Sequence, residues 1–469
     1  MTIQHEIDSV PDKPTVLIVG AGISGLVLAI VLEKADIPYL VIERATTIRP
    51  LGAAVALGPN VNALFKQLGI YNDYVELANV CHSIDNYNED REMTFSMDFR
   101  PSHVMGGGDG HVLPRSQLHR LLMQQIPAKN ILLSKRVLSM EQGRHSVRIT
   151  CADKSTYVGD VLVGADGAYS AVRKNLFAQM IRSGKLPASQ SEDLTYDCVC
   201  LVGQTRPLDP TLYPELKGPI AKFKSVKSKT LPYSWNVITT KDNRFCWSVI
   251  QYLDKESYKE NDTFRNSDWG SCGVTSAMCR EVRDFPIPAM GSSNRQLTLG
   301  DLIDKTPTGL ISKMMLEEKV FRTWYHGRTV LVGDAAHKVH PASGAGTLNA
   351  IMDAVVLGNW IASIADCSIR STENVFKAFK AERFPVVMAA YKQGHLLSKV
   401  NAKATWKSRV IRYMTKNSPD WVWRMVLRRM AEDRPQLWFL PLVSDRGTVP
   451  PKYQPSLQKN LHLARSLNQ

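Results

Sequence analysis

Val16-Leu17-Ile18-Val19-Gly20-Ala21-Gly22-Ile23-Ser24-Gly25 is the stretch on which the reading of this chain turns. Four apolar residues in a row fit a parallel strand buried on both faces, and the apolar run Leu26 to Leu32 reads as the helix that follows it. The glycines stand at the turn. Gly20 permits the tight bend, Gly22 lets the main chain approach a pyrophosphate, and Gly25 lets helix and strand pack closely, with the helix N-terminus turned toward the anion. A second strand, Tyr39-Leu40-Val41-Ile42, ends in Glu43. An acid at that separation is placed to accept hydrogen bonds from the hydroxyls of an adenosine ribose, and it selects against a 2′-phosphate. Alone, the glycine pattern is weak, because glycines also cluster in ordinary strand-to-helix turns.

Three further sites answer it downstream. Val330-Leu331-Val332 is again a hydrophobic strand, followed by Gly333-Asp334-Ala335-Ala336-His337, then Pro341, Gly344-Ala345-Gly346 and Thr347, and a long helix over Leu348 to Ile364. Asp334 falls at the carboxyl end of its strand, where open α/β sheets bind ligands. Val161-Leu162-Val163-Gly164-Ala165-Asp166-Gly167 repeats the strand-to-turn pattern and enters a helix through Ala168 to Arg173. Leu113-Pro114-Arg115 leads into a helical run, Leu118 to Gln125, and puts one arginine where it reaches a phosphate or ribityl oxygen. Together these signals point to FAD. His337 belongs to the Gly-Asp-Ala-Ala-His run, where a packed or hydrogen-bonded histidine is the expectation rather than a catalyst.

Length and composition agree with a large enzyme. The 469 residues, 44% of them hydrophobic, exceed one ordinary core and suggest two domains. The apolar run from Val16 to Leu32 carries three glycines and follows Pro14, which suits a nucleotide-binding turn better than a membrane span or signal peptide. The eight cysteines are scattered without zinc-ligand or disulfide spacing, as for reduced thiols in a cytoplasmic protein, and no metal site is expected. The formal charge of +14 raises the question of an anionic partner. No nucleic-acid recognition motif accompanies it.

In motif order and spacing over roughly residues 14 to 395, the chain resembles the group A flavoprotein monooxygenases, the aromatic hydroxylases and related fungal epoxidases built on the para-hydroxybenzoate hydroxylase fold. The resemblance implies an α/β protein: a Rossmann-like FAD-binding domain with an inserted, mostly antiparallel substrate domain and a helical C-terminal region. The family's cofactor positions are matched by Gly20, Gly22, Gly25, Glu43, Arg115, Gly333 and Asp334. Asp166-Gly167, with Arg173 downstream, resembles the motif that serves both FAD and NAD(P)H, and Gly52-Ala53 the segment passing near the isoalloxazine. Gly344, Gly346 and Thr347 keep the turn beside the flavin pyrimidine. Here the chain departs from the pattern, with Ala345 and Leu348 replacing the usual Gln and Asn, and Asn349 standing one place late.

The implied chemistry uses NAD(P)H to reduce FAD and O2 to form a flavin C4a-hydroperoxide, which hydroxylates an aromatic ring or epoxidises an alkene of a lipophilic or phenolic small molecule. No second GxGxxG unit follows, so NAD(P)H would bind transiently. No residue is identified as a catalytic base. A dehydrogenase or oxidase using the same cradle without oxygen insertion is the alternative. A flavin halogenase is disfavoured because Trp421-Val422-Trp423 lacks the following Ile-Pro, and a non-enzymatic escort protein because it would not need Asp334.

Residues 14–75, 110–184 and 321–395 are assigned to the FAD-binding domain, 76–109 and 185–320 to the substrate domain, and 396–469 to a basic helical region. Phe223, Tyr233, Trp235, Phe245 and Trp247 are candidate pocket aromatics, most of them expected to be core. Gly106 to Gly110 reads as a surface loop or lid. In the last region Lys399, Lys403, Lys407, Arg409, Arg412, Lys416, Arg424, Arg428 and Arg429 interleave with Trp406, Tyr413, Trp421 and Trp423, while Leu397, Val400, Ala404, Ile411 and Met414 keep helical spacing. A helix docked on the FAD domain is the first reading and peripheral association with an anionic membrane the second. Oligomeric state is not legible.

Overall fold

The computed structural model describes residues 13–47, 52, 54–187, 194–253, 270–271, 277–291, 295–402, 419–444 and 446–467. Its first layer is a six-stranded sheet in the order Tyr325–His326, Thr329–Leu331, Val161–Gly164, Val16–Val19, Tyr39–Ile42, Ile131–Leu132. All pairs are parallel except the outer hairpin of Tyr325–His326 with Thr329–Leu331. The three motif-bearing strands are thus neighbours, and their carboxyl ends open on one edge.

The helix Ile23–Lys34 is buried on every side from Ile23 to Leu32, which explains its unbroken apolar run. The helix Gly346–Ile361 packs against it so closely that a Cβ on Gly358 would sit 2.3 Å from Val31 Cγ1. A three-stranded antiparallel meander, Val137–Gln142, Val147–Cys151 and Thr156–Gly159, leads into Val161–Gly164.

The second layer is a nine-stranded sheet in the order Gly270–Ser271, Ser312–Val320, Thr195–Gln204, Arg244–Tyr252, Tyr233–Thr240, Phe223–Lys227, Ser83–Tyr87, Met93–Asp98, with His337–Lys338 pairing onto Ser312–Val320. It is antiparallel apart from the contact between Phe223–Lys227 and Ser83–Tyr87. One face is closed by the helices Ala277–Glu281 and Leu299–Asp304 over a core that includes Val199, Leu201, Trp235, Val237, Trp247 and Val249. Tyr233, Trp235, Phe245 and Trp247 all belong to that core, with Trp235 Nε1 donating to Pro286 O at 2.8 Å and Trp247 Nε1 to Thr306 Oγ1 at 3.0 Å. Strand alternation turns them away from the first layer. Phe223 alone of the five packs on the other face, against Val112 and Ala54.

The described part of the C-terminal region from Asp420 onward is docked. The helix Asp420–Glu432 lies on Pro101–Gly106, with Trp423 Nε1 donating to Asp98 O at 2.6 Å and stacking edge-on against Phe99. Arg434 donates to Met105 O at 3.0 Å and Val449 O at 2.5 Å, and Trp438 Nε1 to Asn359 O at 3.0 Å. Of the stretch Gly106 to Gly110 read as a surface loop or lid, Gly106 ends a short helix, Pro101–Gly106, capped by Gly107 at φ 74°, and the backbone of Gly447 backs that cap. Lys403, Trp406, Lys407, Arg409, Arg412, Tyr413 and Lys416, with Ala404, Ile411 and Met414, lie outside the described residues.

Candidate cofactor site

Each glycine of the first motif does a different job. Gly20 sits at φ 107°, and a Cβ there would meet Ala165 O at 2.5 Å; one on Gly25 would meet Gly20 O at 2.0 Å. Those two close the turn behind. A Cβ on Gly22, by contrast, would find its nearest neighbour at 3.8 Å, so the N-terminus of Ile23–Lys34 is open on that side. The first-turn N–H groups of a helix lack intrahelical acceptors, and here they end at the open side.

Glu43 stands where the ribose-binding acid was expected. Its Oε2 accepts from Ala21 N and its Oε1 from Ala45 N, both at 2.8 Å, so the carboxylate braces the glycine turn as well. A partner that the sequence reading missed is His119, whose Nε2 donates to Ala21 O at 2.7 Å. Burial lowers the pKa of His119 and keeps the ring neutral at ordinary pH.

Arg115 opens the helix Arg115–Gln124, directly after a strand, His111–Pro114, that pairs with Ala54–Leu57. Gly52, at φ 111°, packs on the arginine stem, a Cβ there lying 3.3 Å from Arg115 Cδ. Burial lowers the guanidinium pKa while the charge of nearby Asp334 opposes the shift. The structure therefore brings Gly52, Arg115 and Asp334 together from three distant stretches. Ala53 lies outside the described residues.

Asp166 caps the helix Ala171–Arg182, its Oδ2 accepting from Ala171 N at 2.7 Å and Val172 N at 3.2 Å, while Gly167 turns at φ 80°. Burial pushes the Asp166 carboxyl up, and the hydrogen bonds from Ser170 and the helix N–H groups work against that. Arg173 ties two motifs: it donates to Ala168 O at 2.5 Å and to Ala335 O at 2.9 Å, with its guanidinium 4.2 Å from the centre of the Phe321 ring. Burial brings it down to about 10.

Behind the third motif lies a polar network within the apolar core. Asp353, fully buried on Gly346–Ile361, accepts from Gly333 N at 3.0 Å, His337 Nε2 at 2.5 Å and Arg383 Nε at 2.8 Å. Arg383 also donates to Asn349 Oδ1 at 2.7 Å, and Asn349 Nδ2 donates to Ala345 O at 3.0 Å. His337 is thus the hydrogen-bonded residue expected. Asn349, one place late for the family pattern, is turned inward and holds the Gly344–Gly346 turn by its carbonyl. Asp353 and Arg383 were missed; the available signal was an acid standing inside an otherwise apolar helix. Open space surrounds the Cα of Gly344 at φ 63°, and the nearest atom to a Cβ on Gly346 would be 4.0 Å away.

The ligand-capable atoms of Asp197, Cys198 and His340 all lie within 4.8 Å of one another, a grouping that spacing alone did not suggest. Cys198 Sγ donates to Asp197 Oδ1 at 3.1 Å, and burial, with Asp197 adding to it, pushes the thiol pKa well up. With no metal bound, Cys198 is a hydrogen-bonded thiol.

The family model described as "FAD binding domain" matches residues 13–245 and 295–393. An FAD-dependent monooxygenase of Penicillium ochrochloron, ptmM, is 30% identical over 84% of this chain and 90% of its own length. Another from Penicillium crustosum, penM, is 31% identical over 84% of this chain and 80% of its own. Among solved structures, Klebsiella pneumoniae HpxO complexed with FAD and uric acid aligns with a TM-score of 0.69 at 19% identity, covering 92% of this chain and 98% of that one. The sheet order, the three turns at one sheet edge and these matches agree, and the chain belongs to the FAD-binding family of flavoprotein monooxygenases.

Proposed function

We propose that the FAD of this monooxygenase is held by Gly20, Gly22, Gly25, Glu43, Gly52, Ala53, Arg115, Asp166, Gly167, Gly333, Asp334, Gly344, Gly346 and Thr347, and that the enzyme hydroxylates an aromatic ring or epoxidises an alkene of a lipophilic or phenolic small molecule. The observation that carries the reading is the first turn, shut behind by Gly20 and Gly25 and open at Gly22, with Glu43 beside it. We divide the chain accordingly: residues 14–75, 110–184 and 321–395 hold the cofactor, 76–109 and 185–320 cover it, and 396–469 form the basic helical C-terminal region.

Bound FAD supplies the redox chemistry, taking a hydride from NAD(P)H and activating O2. The protein's share is electrostatic and steric. The N-terminus of Ile23–Lys34 meets pyrophosphate charge, Glu43 receives ribose hydroxyls, and Asp334 receives ribityl hydroxyls while Arg115 offsets its charge. The N-terminus of Gly346–Ile361, clamped through Asn349, supports negative charge on the flavin pyrimidine. The nine-stranded sheet excludes water from the reacting face.

The test is anaerobic addition of NADPH or NADH to purified protein, then readmission of 18O2 with a panel of phenols and polyprenyl compounds. Flavin bleaching hastened by one compound, with 18O in its product, is expected. Flavin that no nicotinamide reduces, or product without 18O, overturns the reading.

For the basic region, peripheral binding to an anionic membrane is the finer proposal. On Asp420–Glu432, Trp421 is 64% exposed beside exposed Arg424, Met425 and Arg428. Failure to sediment with phosphatidylserine vesicles at moderate salt removes it. No helix among the described residues is long and apolar enough to cross a membrane.

A further inference from the structure

The two faces of the nine-stranded sheet differ in a way that composition does not anticipate. Trp235, Val237, Trp247 and Val249 on the far face are buried beneath helices. On the face turned to the cofactor layer, Phe223, Ser225, Asn236, Ser248, Ile250 and Met314 are each half-exposed. Side chains at the centre of a large sheet keep such exposure only where that face borders open space. That face meets the cofactor layer at both ends: Ile238 and Cys246 pack with Ala54 and Val112 near Gly52 and Arg115, and Val320 pairs with His337 of the third motif.

Register arranges the cleft floor in rows. Ser225 is opposite Asn236, Asn236 opposite Ser248, Ser248 opposite Val202 and Val202 opposite Ser312. This uncharged row, polar at every position but Val202, crosses five strands. On one side runs the apolar row Phe223, Ile238 and Cys246, and on the other Ile250, Cys200 and Met314. Charged residues of the same parity stand at or near strand ends: Arg244 is paired with Asp242, Glu318 with His395, and Lys227 closes its strand. No Lys or Arg occupies an interior position of this face among the described residues.

Asparagine is depleted from strands because its short amide competes with the ladder, and a central strand is the least favourable place for it. Asn236 is nevertheless there, its Nδ2 donating to Ser248 Oγ at 3.2 Å. That bond fixes the amide and leaves the carbonyl oxygen as an acceptor on the floor. In the same row Ser312 Oγ is buried without a hydrogen-bond partner. Among the described residues the sheet floor offers a carboxylate no cation, so an anion lying on it would bear its desolvation cost there, whereas a neutral donor such as a phenol, alcohol or amine N–H would find an acceptor.

We propose that Asn236, held by Ser248, is the specificity-determining residue of the substrate cleft and that it selects an uncharged lipophilic substrate by a neutral hydrogen-bond-donating group. The proposal rests on the monooxygenase reading and concerns recognition, so binding tests it apart from turnover.

The experiment titrates the FAD-loaded protein with 4-farnesylphenol, farnesylbenzene and 4-farnesylbenzoate, following the flavin absorption band. The phenol is expected to bind at least tenfold more tightly than either analogue, and Asn236→Leu to abolish its advantage over farnesylbenzene at unchanged FAD content. Ser248→Ala, which frees the amide without adding bulk, is expected to reduce the advantage severalfold. Tighter binding of the benzoate, an undiminished phenol preference in Asn236→Leu, or no response to any of the three overturns the proposal. A failed monooxygenase reading would show separately, as absent 18O incorporation despite binding.

Discussion

Arg383 Nε donates to Asp353 Oδ1 at 2.8 Å, and both side chains are withdrawn from water. The pair joins the helices Gly346–Ile361 and Ile369–Ala402 directly behind the third motif, and through Asn349 it reaches the turn assigned to the flavin edge. Arg383→Met leaves Asp353 with His337 and Gly333 N as its remaining partners. Removing one member of a buried ion pair costs about 3–5 kcal/mol. Denaturant unfolding of the variant should show a loss of that order together with weaker flavin retention, and a change under about 1 kcal/mol would mean that the pair does not hold the turn.

Acid should reach the same network. Burial pushes the Asp353 carboxyl up, but the charges and hydrogen bonds of His337 and Arg383 outweigh it and hold the group at about 2. Since the folded value lies below the unfolded one, the group stabilises the fold fully above about pH 4 and ceases to do so as pH falls toward 2. The contribution is about 2 kcal/mol. Stability measured from pH 5 to 2 should decline more steeply in the parent than in Asp353→Asn, which has no carboxyl to titrate; parallel profiles would refute the assignment.

The glycines of the first turn should separate folding from binding. Gly25→Ala places a Cβ 2.0 Å from Gly20 O and should prevent soluble expression. Gly22→Ala has 3.8 Å of clearance and should fold with a melting temperature near that of the parent apoprotein, yet lose FAD. Retention of FAD by Gly22→Ala, read from absorption after gel filtration, would place the pyrophosphate elsewhere.

Glu43→Ala should weaken FAD by about 2–4 kcal/mol through the loss of charge-assisted hydrogen bonds to the ribose. Because Glu43 also accepts from Ala21 N and Ala45 N, Glu43→Gln, which keeps an acceptor oxygen, should lose less. Fluorescence titration of apoprotein with FAD ranks the three. Equal affinity in all would remove Glu43 from the site.

Asp166→Ala should cost about 1 kcal/mol by leaving Ala171 N and Val172 N without their acceptor at the start of Ala171–Arg182, while Asp166→Asn keeps an acceptor for Ala171 N and should cost less. Thermal unfolding of the apoproteins checks the order, and equal stability of all three would show that the cap is not needed.

Local pattern determined a good deal by itself. An unbroken apolar strand, a glycine turn, an apolar helix and a terminal acid form a unit whose backbone geometry is set within about 30 residues, so Val16 to Glu43 announced its own structure and the parallel sheet with it. Strand alternation likewise announced the mostly antiparallel layer. What only tertiary structure decided was which distant groups meet. Asp353 and Arg383 are 30 residues apart on two helices: an acid inside an apolar helix was there to be read, but its partners became known only when packing closed both on His337. Trp235 and Trp247 looked like pocket candidates by chemistry, yet register sent them to the helix-covered face, and the same register brought Ser225, Asn236 and Ser248 into one row facing the cofactor layer. Periodicity tells which residues share a face; which face is covered depends on contacts between segments far apart in the chain, and no local pattern carries that information.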